Sequence, residues 1–405
     1  MLPVVALFSS DMLSLHAADS AVFFWKGPTW GKFNNPDNWD VGAQGNGNPD
    51  NRIPGEDDTF DFAWNAYIDL DGKTFTVKRR SKDLTSGADG GVTASYTYLN
   101  LTNGTLVVRD LHSKRLNFDV YNGATYRFCG FYRDAIGLPD ESRQTIHSGG
   151  RFEFVNSASV EMYGTYITVK EGGYLYFDPH RFYTYPTTQR TAQFTNNGTF
   201  EAPNGMYLTR CDWNSASLPL PAEQEWFPRF YQNGGVFKLG GNFGRENHTS
   251  AKQIGLTLSG GTVEITNTVS FVNMSANPPV VSDNASLVFD VKKDSVFNIA
   301  GLEIGEGVTI AKTGPGDLII DEIVTSSLEV EAGRIIFSKA ITAPRMSFAE
   351  GSEILVEEEM TRIDECEGFT NTAFSVAEEL LRVDSVVLCS EDEVILDHAK
   401  KCIDA

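Results

Sequence analysis

Gly150-Arg151-Phe152-Glu153-Phe154 and Gly173-Tyr174-Leu175-Tyr176-Phe177 carry one phrase: glycine, any residue, apolar, any residue, apolar. Working outward, the phrase returns at Gly104 to Val108, Gly198 to Ala202, Gly235 to Leu239 and Gly261 to Ile265. It returns again at Gly316 to Ile320 and Gly333 to Phe337, with an extra residue at Gly123 to Phe128 and a degenerate copy at Ala285 to Phe289. Successive copies lie roughly 17 to 37 residues apart, a spacing at which self-similarity marks a solenoid or array. Alternate apolar positions put their side chains on one face of a strand. The glycine ahead of them permits the positive φ of a tight turn, and Asn103, Asn122 and Asn197 before it tolerate the same region.

One such unit cannot bury its apolar face alone. Stacked units share a continuous core, each strand about 4.8 Å from the next, so about ten units make a rod on the order of 50 Å long. The rival reading is a sandwich of ordinary hairpins, because Asn-Gly between alternating runs is also a hairpin signal, as in Tyr98 to Val107. The even wording of the repeat favours the solenoid. So do the polar stretches 180–196 and 207–229, which interrupt the repeat as loop insertions do. The expected fold is all-β, a parallel β-helix with an N-terminal cap and a small C-terminal mixed segment.

Four segments follow. Residues 1–18 read as a secretory signal: Leu2 to Leu15 is largely apolar, with small residues at Ala17 and Ala18. No Lys or Arg precedes that run and Asp11 lies within it, so a buried strand is the alternative. Residues 19–80 hold Trp25, Trp30 and Trp39 and read as an aromatic-rich cap over the open end of the solenoid. Within them, Ala66 to Val77 reads as strand, Asp-Gly turn, strand. Residues 81–355 are the repetitive body. Residues 356–405 form a cap or small lobe, with helical spacing over 373–381 and 395–402 and a strand-like 383–388 between them.

The net charge of −21 disfavours nucleic acid and anionic lipid as partners. No stretch after the leader reaches the length of a membrane span. Cys129, Cys211, Cys366, Cys389 and Cys402 show no zinc or CxxC spacing, and no disulfide framework is expected, although one bridge among the last three stays open. No cofactor is expected: there is no phosphate loop, no Ser/His/Asp order and no zinc helix.

Three clusters are candidates for chemistry. Asp178, His180, Arg181, Tyr183 and Arg190 follow the strand at 174–177 and could serve as acid, base and positioning groups of a polysaccharide lyase or hydrolase. The alternative, which the absence of a second recurring carboxylate favours, is a solvated loop packed on its rung. Trp213 and Trp226 stand among prolines in an insertion and could stack on sugar rings, or simply cover the solenoid flank. Asp57, Asp58, Asp69 and Asp71 resemble calcium ligands in type, but match no calcium-loop pattern and read better as turns and acidic edge. Asn-x-Ser/Thr sites at Asn100, Asn197, Asn247 and Asn273 matter only in a eukaryotic secretory pathway.

Phe24-Trp25-Lys26-Gly27, Trp30, Asn38-Trp39-Asp40 and Pro54-Gly55-Glu56-Asp57-Asp58-Thr59-Phe60 resemble the opening of bacterial passenger-type surface proteins with autotransporter-associated β-strand repeats. Lys312-Thr313-Gly314-Pro315-Gly316-Asp317-Leu318-Ile319-Ile320, followed by Leu328 to Ile335, is similar to the repeat itself. The resemblance covers about sixty residues at the start and about twenty-five near 312–337. It implies a secreted, right-handed parallel β-helix used for adhesion or surface display. Such passengers end in a membrane barrel of strands about ten residues long. The closing residues Asp397 to Ala405 lack that pattern, so the expectation is a protein released or anchored by another element. The expected role is that of an exported, non-enzymatic adhesin that contacts polysaccharide or the glycans of a neighbouring surface. The alternatives are a carbohydrate-active β-helix enzyme and a self-assembling structural layer.

Overall fold

A computed structural model describes residues 21–26, 29–62, 65–80, 98–113, 117–129, 132–134, 142–155, 160–162, 165–179, 181–184, 192–210, 229–245, 255–274, 278–321, 323–325, 327–338, 341–349, 351–356, 361–367, 373–376, 381–383 and 386–387. The repeated phrase forms strands, and they stack as a solenoid with three strands to a rung. On the first face Ser142–Ile146 pairs in parallel with Thr165–Val169, then Gln193–Asn196, Arg229–Gln232 and Gly255–Leu258. On the second, Arg151–Val155 leads to Tyr174–Phe177, Thr199–Ala202, Val236–Leu239 and Gly261–Ile265. On the third, Val160–Met162 leads to Arg181–Thr184, Met206–Arg210 and Phe243–Arg245. The fold is the expected all-β parallel β-helix, and the sandwich of hairpins is excluded because the strands of these three faces pair in parallel with the next rung and not antiparallel with their chain neighbours.

Alternation decides which side chains go inside. Tyr174–Phe177 and Val236–Leu239 both alternate half-buried and buried positions, and the buried ones are Leu175, Phe177, Phe237 and Leu239. In-register pairing stacks these residues into columns along the axis. Phe194 and Phe230 stack with centroids 5.9 Å apart, and Phe200 meets Phe237 at 5.5 Å. Each buried Phe contributes about 2 kcal/mol through the area it removes from water, and each ring pair about 1 kcal/mol more. On the outside of the second face, one register column reads Arg127, Glu153, Tyr176, Glu201, Lys238, Glu264, Asp290. Lys238 bridges Glu201 at 3.5 Å and Glu264 at 3.6 Å, and Lys292 reaches Glu264 at 3.4 Å. Arg127 thus stands opposite Glu153, and Lys238 between Glu201 and Glu264, while the like-charged neighbours Glu264 and Asp290 are bridged by Lys292.

The N-terminal cap is built around Trp39. Its ring is fully buried and meets Phe23, Trp25, Phe33 and Phe60 edge-on at 6.2, 5.0, 5.0 and 6.2 Å. Its Nε1–H donates to the carbonyl of Phe33 at 2.9 Å, so the buried indole is satisfied. Val22–Trp25 pairs antiparallel with Trp39–Val41 and parallel with Thr59–Phe62, joining the cap to the third face. The Asp-Gly turn of 66–77 exists, with Asp71 and Gly72 at φ 54° and 69°. Its two arms do not form a hairpin: both pair in parallel with Tyr98–Ser113, and the turn is a corner between two faces of one rung.

At the other end, Ala373–Val376 is a strand paired with Glu353–Val356, where the spacing predicts helix. Phe374 and Val376 lie opposite Ile354 and Val356, and pairing in the parallel ladder outweighs a short window that fits either period. The strand-like 383–388 is met by Leu381–Val383 and Val386–Val387, while 395–402 and the leader at 1–18 lie outside the described residues.

Candidate functional site

Of the sequence candidates for chemistry, Asp178, Arg181 and Tyr183 fall on described backbone. Asp178 ends the strand Tyr174–Phe177 at a corner, where Asn204 Nδ2 donates to its carboxylate at 2.8 Å and to its carbonyl at 3.2 Å. Arg181 and Tyr183 belong to Arg181–Thr184 on the third face. The side chains of Arg181 and Tyr183, and all of His180, Arg190, Trp213 and Trp226, lie outside the described residues. Among the acidic candidates, Asp71 has its carboxylate bound by Lys32 Nζ at 2.8 Å and Asn34 Nδ2 at 3.2 Å. With Lys73 Nζ at 3.3 Å as well, these partners lower its pKa to about 2. Asp58 is taken up by Arg52 and by the N–H groups of Ala21 and Gly55. Both are structural carboxylates with their oxygens already engaged.

A different cluster forms on the first face. Its outward register column runs Trp30, Tyr67, Asn100, Asp119, Thr145, Thr168, Thr195. Trp30 is 50% exposed although it is a large apolar residue, so it is not there to fill core. It meets Tyr67 at 5.3 Å and Tyr121 at 6.1 Å, both edge-on. Tyr121 stacks flat on His147, centroids 4.4 Å apart and planes 8° from parallel. His147 Nε2 is 2.8 Å from Asp119 Oδ1, and the Tyr121 hydroxyl lies 3.5 Å from Asn100 Oδ1. Burial, reinforced by Asp119 and Tyr67, holds the Tyr121 phenol above its usual pKa, so it stays a neutral hydroxyl.

The rungs place this cluster beside a recess of about 310 Å³ lined by Arg143, Gln144, Thr145, Tyr166, Thr168 and Lys170. Tyr121, His147 and Lys170 are the corner residues of three successive rungs. The N–H of His147 donates to Val120 and that of Lys170 to Ile146, at 2.9 and 2.8 Å. Thr145 in the recess pairs with Asp119 below it. Aromatic platform and recess are thus one strip along the axis, offering ring faces, hydroxyls and two cationic side chains.

Sequence reasoning missed this strip because its members stand on different rungs, at 67, 121, 147 and 170, with no shared local motif. The only signal available was the repeat itself, and corners of unequal length hide which outward residues align. Among the described residues, no three His, Cys, Asp or Glu side chains form a metal cluster, and no helix is long and apolar enough to cross a membrane. No family model, curated protein or solved structure matches the chain.

Proposed function

We propose that this is an exported, non-enzymatic β-helix protein that acts at a cell surface or outside the cell as an adhesive, glycan-contacting element. The observation that carries the reading is the exposed ring of Trp30, buttressed by Tyr67 and Tyr121 and continued by a polar recess on the same face. A half-exposed indole held by neighbouring rings is a preorganised apolar surface, and the hydroxyls around it supply hydrogen bonds. A solenoid adds a long rigid face on which such contacts repeat. Export is supported by the apolar leader at 2–15 and by the resemblance of 24–60 and 312–337 to passenger-type surface proteins.

The test incubates the purified chain with a panel of immobilised polysaccharides, recording bound protein and released oligosaccharide together. Binding that is lost in Trp30→Ala, with no product released, is the expected result. Released product overturns the non-enzymatic part, and binding to none of the panel overturns the glycan-contacting part.

A further inference from the structure

We infer that the first face holds a neutral, extended polysaccharide along the solenoid axis, read rung by rung by the hydroxyls of Thr145, Thr168, Thr195, Tyr231 and Thr257. The inference rests on the glycan-contacting reading and adds the charge class, shape and direction of the ligand. Its basis is register. These residues lie directly opposite one another on successive rungs and all are half-buried, so a hydroxyl-bearing side chain recurs about every 4.8 Å. The ladder ends at Asp119 on one side and at the exposed Val280 on the other. Beyond Asp119 the same column runs on to Tyr67 and Trp30, so hydroxyls and ring platform share one line. The charged side chains around it, Arg143, Lys170, Glu171 and Arg229, stand beside the column and not in it. On the second face the same rungs present Glu153, Tyr176, Glu201, Lys238 and Glu264, with Lys238 paired to both of its acidic neighbours. A chain of net charge −21 thus keeps this column of the first face uncharged from Thr145 to Val280.

The ladder is prepared to donate. Gln193 Nε2 gives a hydrogen bond to Thr195 Oγ1 at 3.3 Å, and Arg229 Nη1 gives one to the Tyr231 hydroxyl at 3.2 Å. Each of those hydroxyls keeps its own hydrogen for an outside acceptor, and sugar hydroxyls both accept and donate. An in-register ladder about 20 Å long is matched by a glycan whose sugars stay in line and advance about one rung each. A glycan that coils leaves the column after the first contacts. An acid group on the sugar adds repulsion from the acidic chain as a whole. A peptide is the weaker fit, since peptides commonly bind by adding a strand to an open edge, and the strands of this face are paired on both sides. A folded protein partner would want an apolar centre, which a hydroxyl column lacks.

The experiment measures, by calorimetry on the full chain, binding of cello-, xylo- and chito-oligosaccharides of about two to about six sugars, a range that brackets the ladder. Malto-oligosaccharides serve as coiled counterparts and oligogalacturonates as charged ones. At least one extended neutral series is expected to tighten at least about tenfold from about two sugars to about five, and to level off beyond, where the hydroxyls end. Thr168→Val with Thr195→Val is expected to weaken the longer members of that series about tenfold. Thr199→Val, on the second face, is expected to leave them unchanged, all variants keeping the wild-type melting temperature. Affinity indifferent to length, a preference that survives the double variant, or an equal loss in Thr199→Val overturns the ladder and leaves the glycan reading standing. Equal or tighter binding of the malto-oligosaccharides overturns the extended shape, and of the oligogalacturonates the neutral class. If immobilised polysaccharides bind and none of the extended neutral oligosaccharides does, this inference alone falls, and if neither binds, both readings fall.

Discussion

Phe289 and Lys312 occupy the same inward register position on successive rungs, and Val330 follows them in the same column. A lysine thus stands, with no exposed surface, where Phe152, Leu175, Phe200, Phe237 and Val263 stand on other rungs. Its Nζ escapes the apolar column by donating to two corner carbonyls, those of Gly314 and, at 2.7 Å, Ala332. Burial lowers its pKa to about 8, against the opposing pull of Asp317 and Asp290.

This depression predicts an alkaline gain in stability. The unfolded chain holds the Lys312 proton up to about pH 10.5, the folded chain only to about 8. Between those values the unfolded state binds more protons, so stability rises with pH, by up to about 3 kcal/mol from this group. Tyr121 and Tyr176, whose pKa values are raised, act in the opposite sense only above their ordinary value of 10.0. Denaturant melts from pH 7.5 to 9.5 should show wild type gaining stability relative to Lys312→Met, the pH range being set by the two pKa limits. Parallel curves for the two proteins would contradict a depressed lysine.

Asp58 makes the cap acid-sensitive. Burial raises its pKa, but the Arg52 guanidinium and the N–H groups of Ala21 and Gly55 outweigh that and hold it below 3.8. A carboxylate depressed on folding stabilises above its unfolded pKa, and that contribution is lost as pH falls through the folded value. Asp58→Ala leaves Arg52 without its carboxylate and should cost about 2 to 4 kcal/mol at pH 7. The loss should shrink as pH drops below about 4, a trend that acid titration of both proteins by circular dichroism would reveal or exclude.

Gly235 cannot take a side chain. It sits at φ 63°, and a Cβ there would overlap the carbonyl oxygen of Gly198 in the rung beneath. Gly235→Ala combines left-handed strain with a backbone clash and should destabilise by about 2 kcal/mol or more. Gly234→Ala is the control, because its added methyl meets nothing. Equal melting temperatures for the two variants would count against the stacked corner.

Asn196 and Gln232 form a buried amide pair in an otherwise apolar column, between Val169 and Leu258. Asn196 Nδ2 donates to Gln232 Oε1 at 2.7 Å and to the Val236 carbonyl at 3.0 Å. Gln232→Leu strips Asn196 of an acceptor and should cost about 1 to 3 kcal/mol. Adding Asn196→Val should cost less than the sum of the single changes, since both orphaned amides are then gone. Strict additivity in urea melts would show that the pair is not coupled.

Much of the fold was legible before any coordinates. Alternation in Gly150 to Phe154 and Gly173 to Phe177 is enough to form strands and to send Phe152, Phe154, Leu175 and Phe177 inward, because side chains on a strand change face at every residue. The short apolar window at 373–376 was ambiguous, because period and length do not separate helix from strand there. The candidate site was not legible: none of its rings or cations was singled out for function.

What the sequence determined by itself was local, namely strands, corners, a stacked architecture and an acidic surface. The tertiary structure alone decided who stands beside whom. Corners range from a rung of 17 residues between Asp317 and Arg334 to one of 37 between Thr199 and Val236, so chain spacing does not reveal alignment. Alignment follows from hydrogen-bonded register, which each rung takes from the one beneath it so that the apolar columns coincide. That register set Lys312 over Phe289, and it brought Trp30, Tyr121 and His147 to one edge beside Arg143 and Lys170.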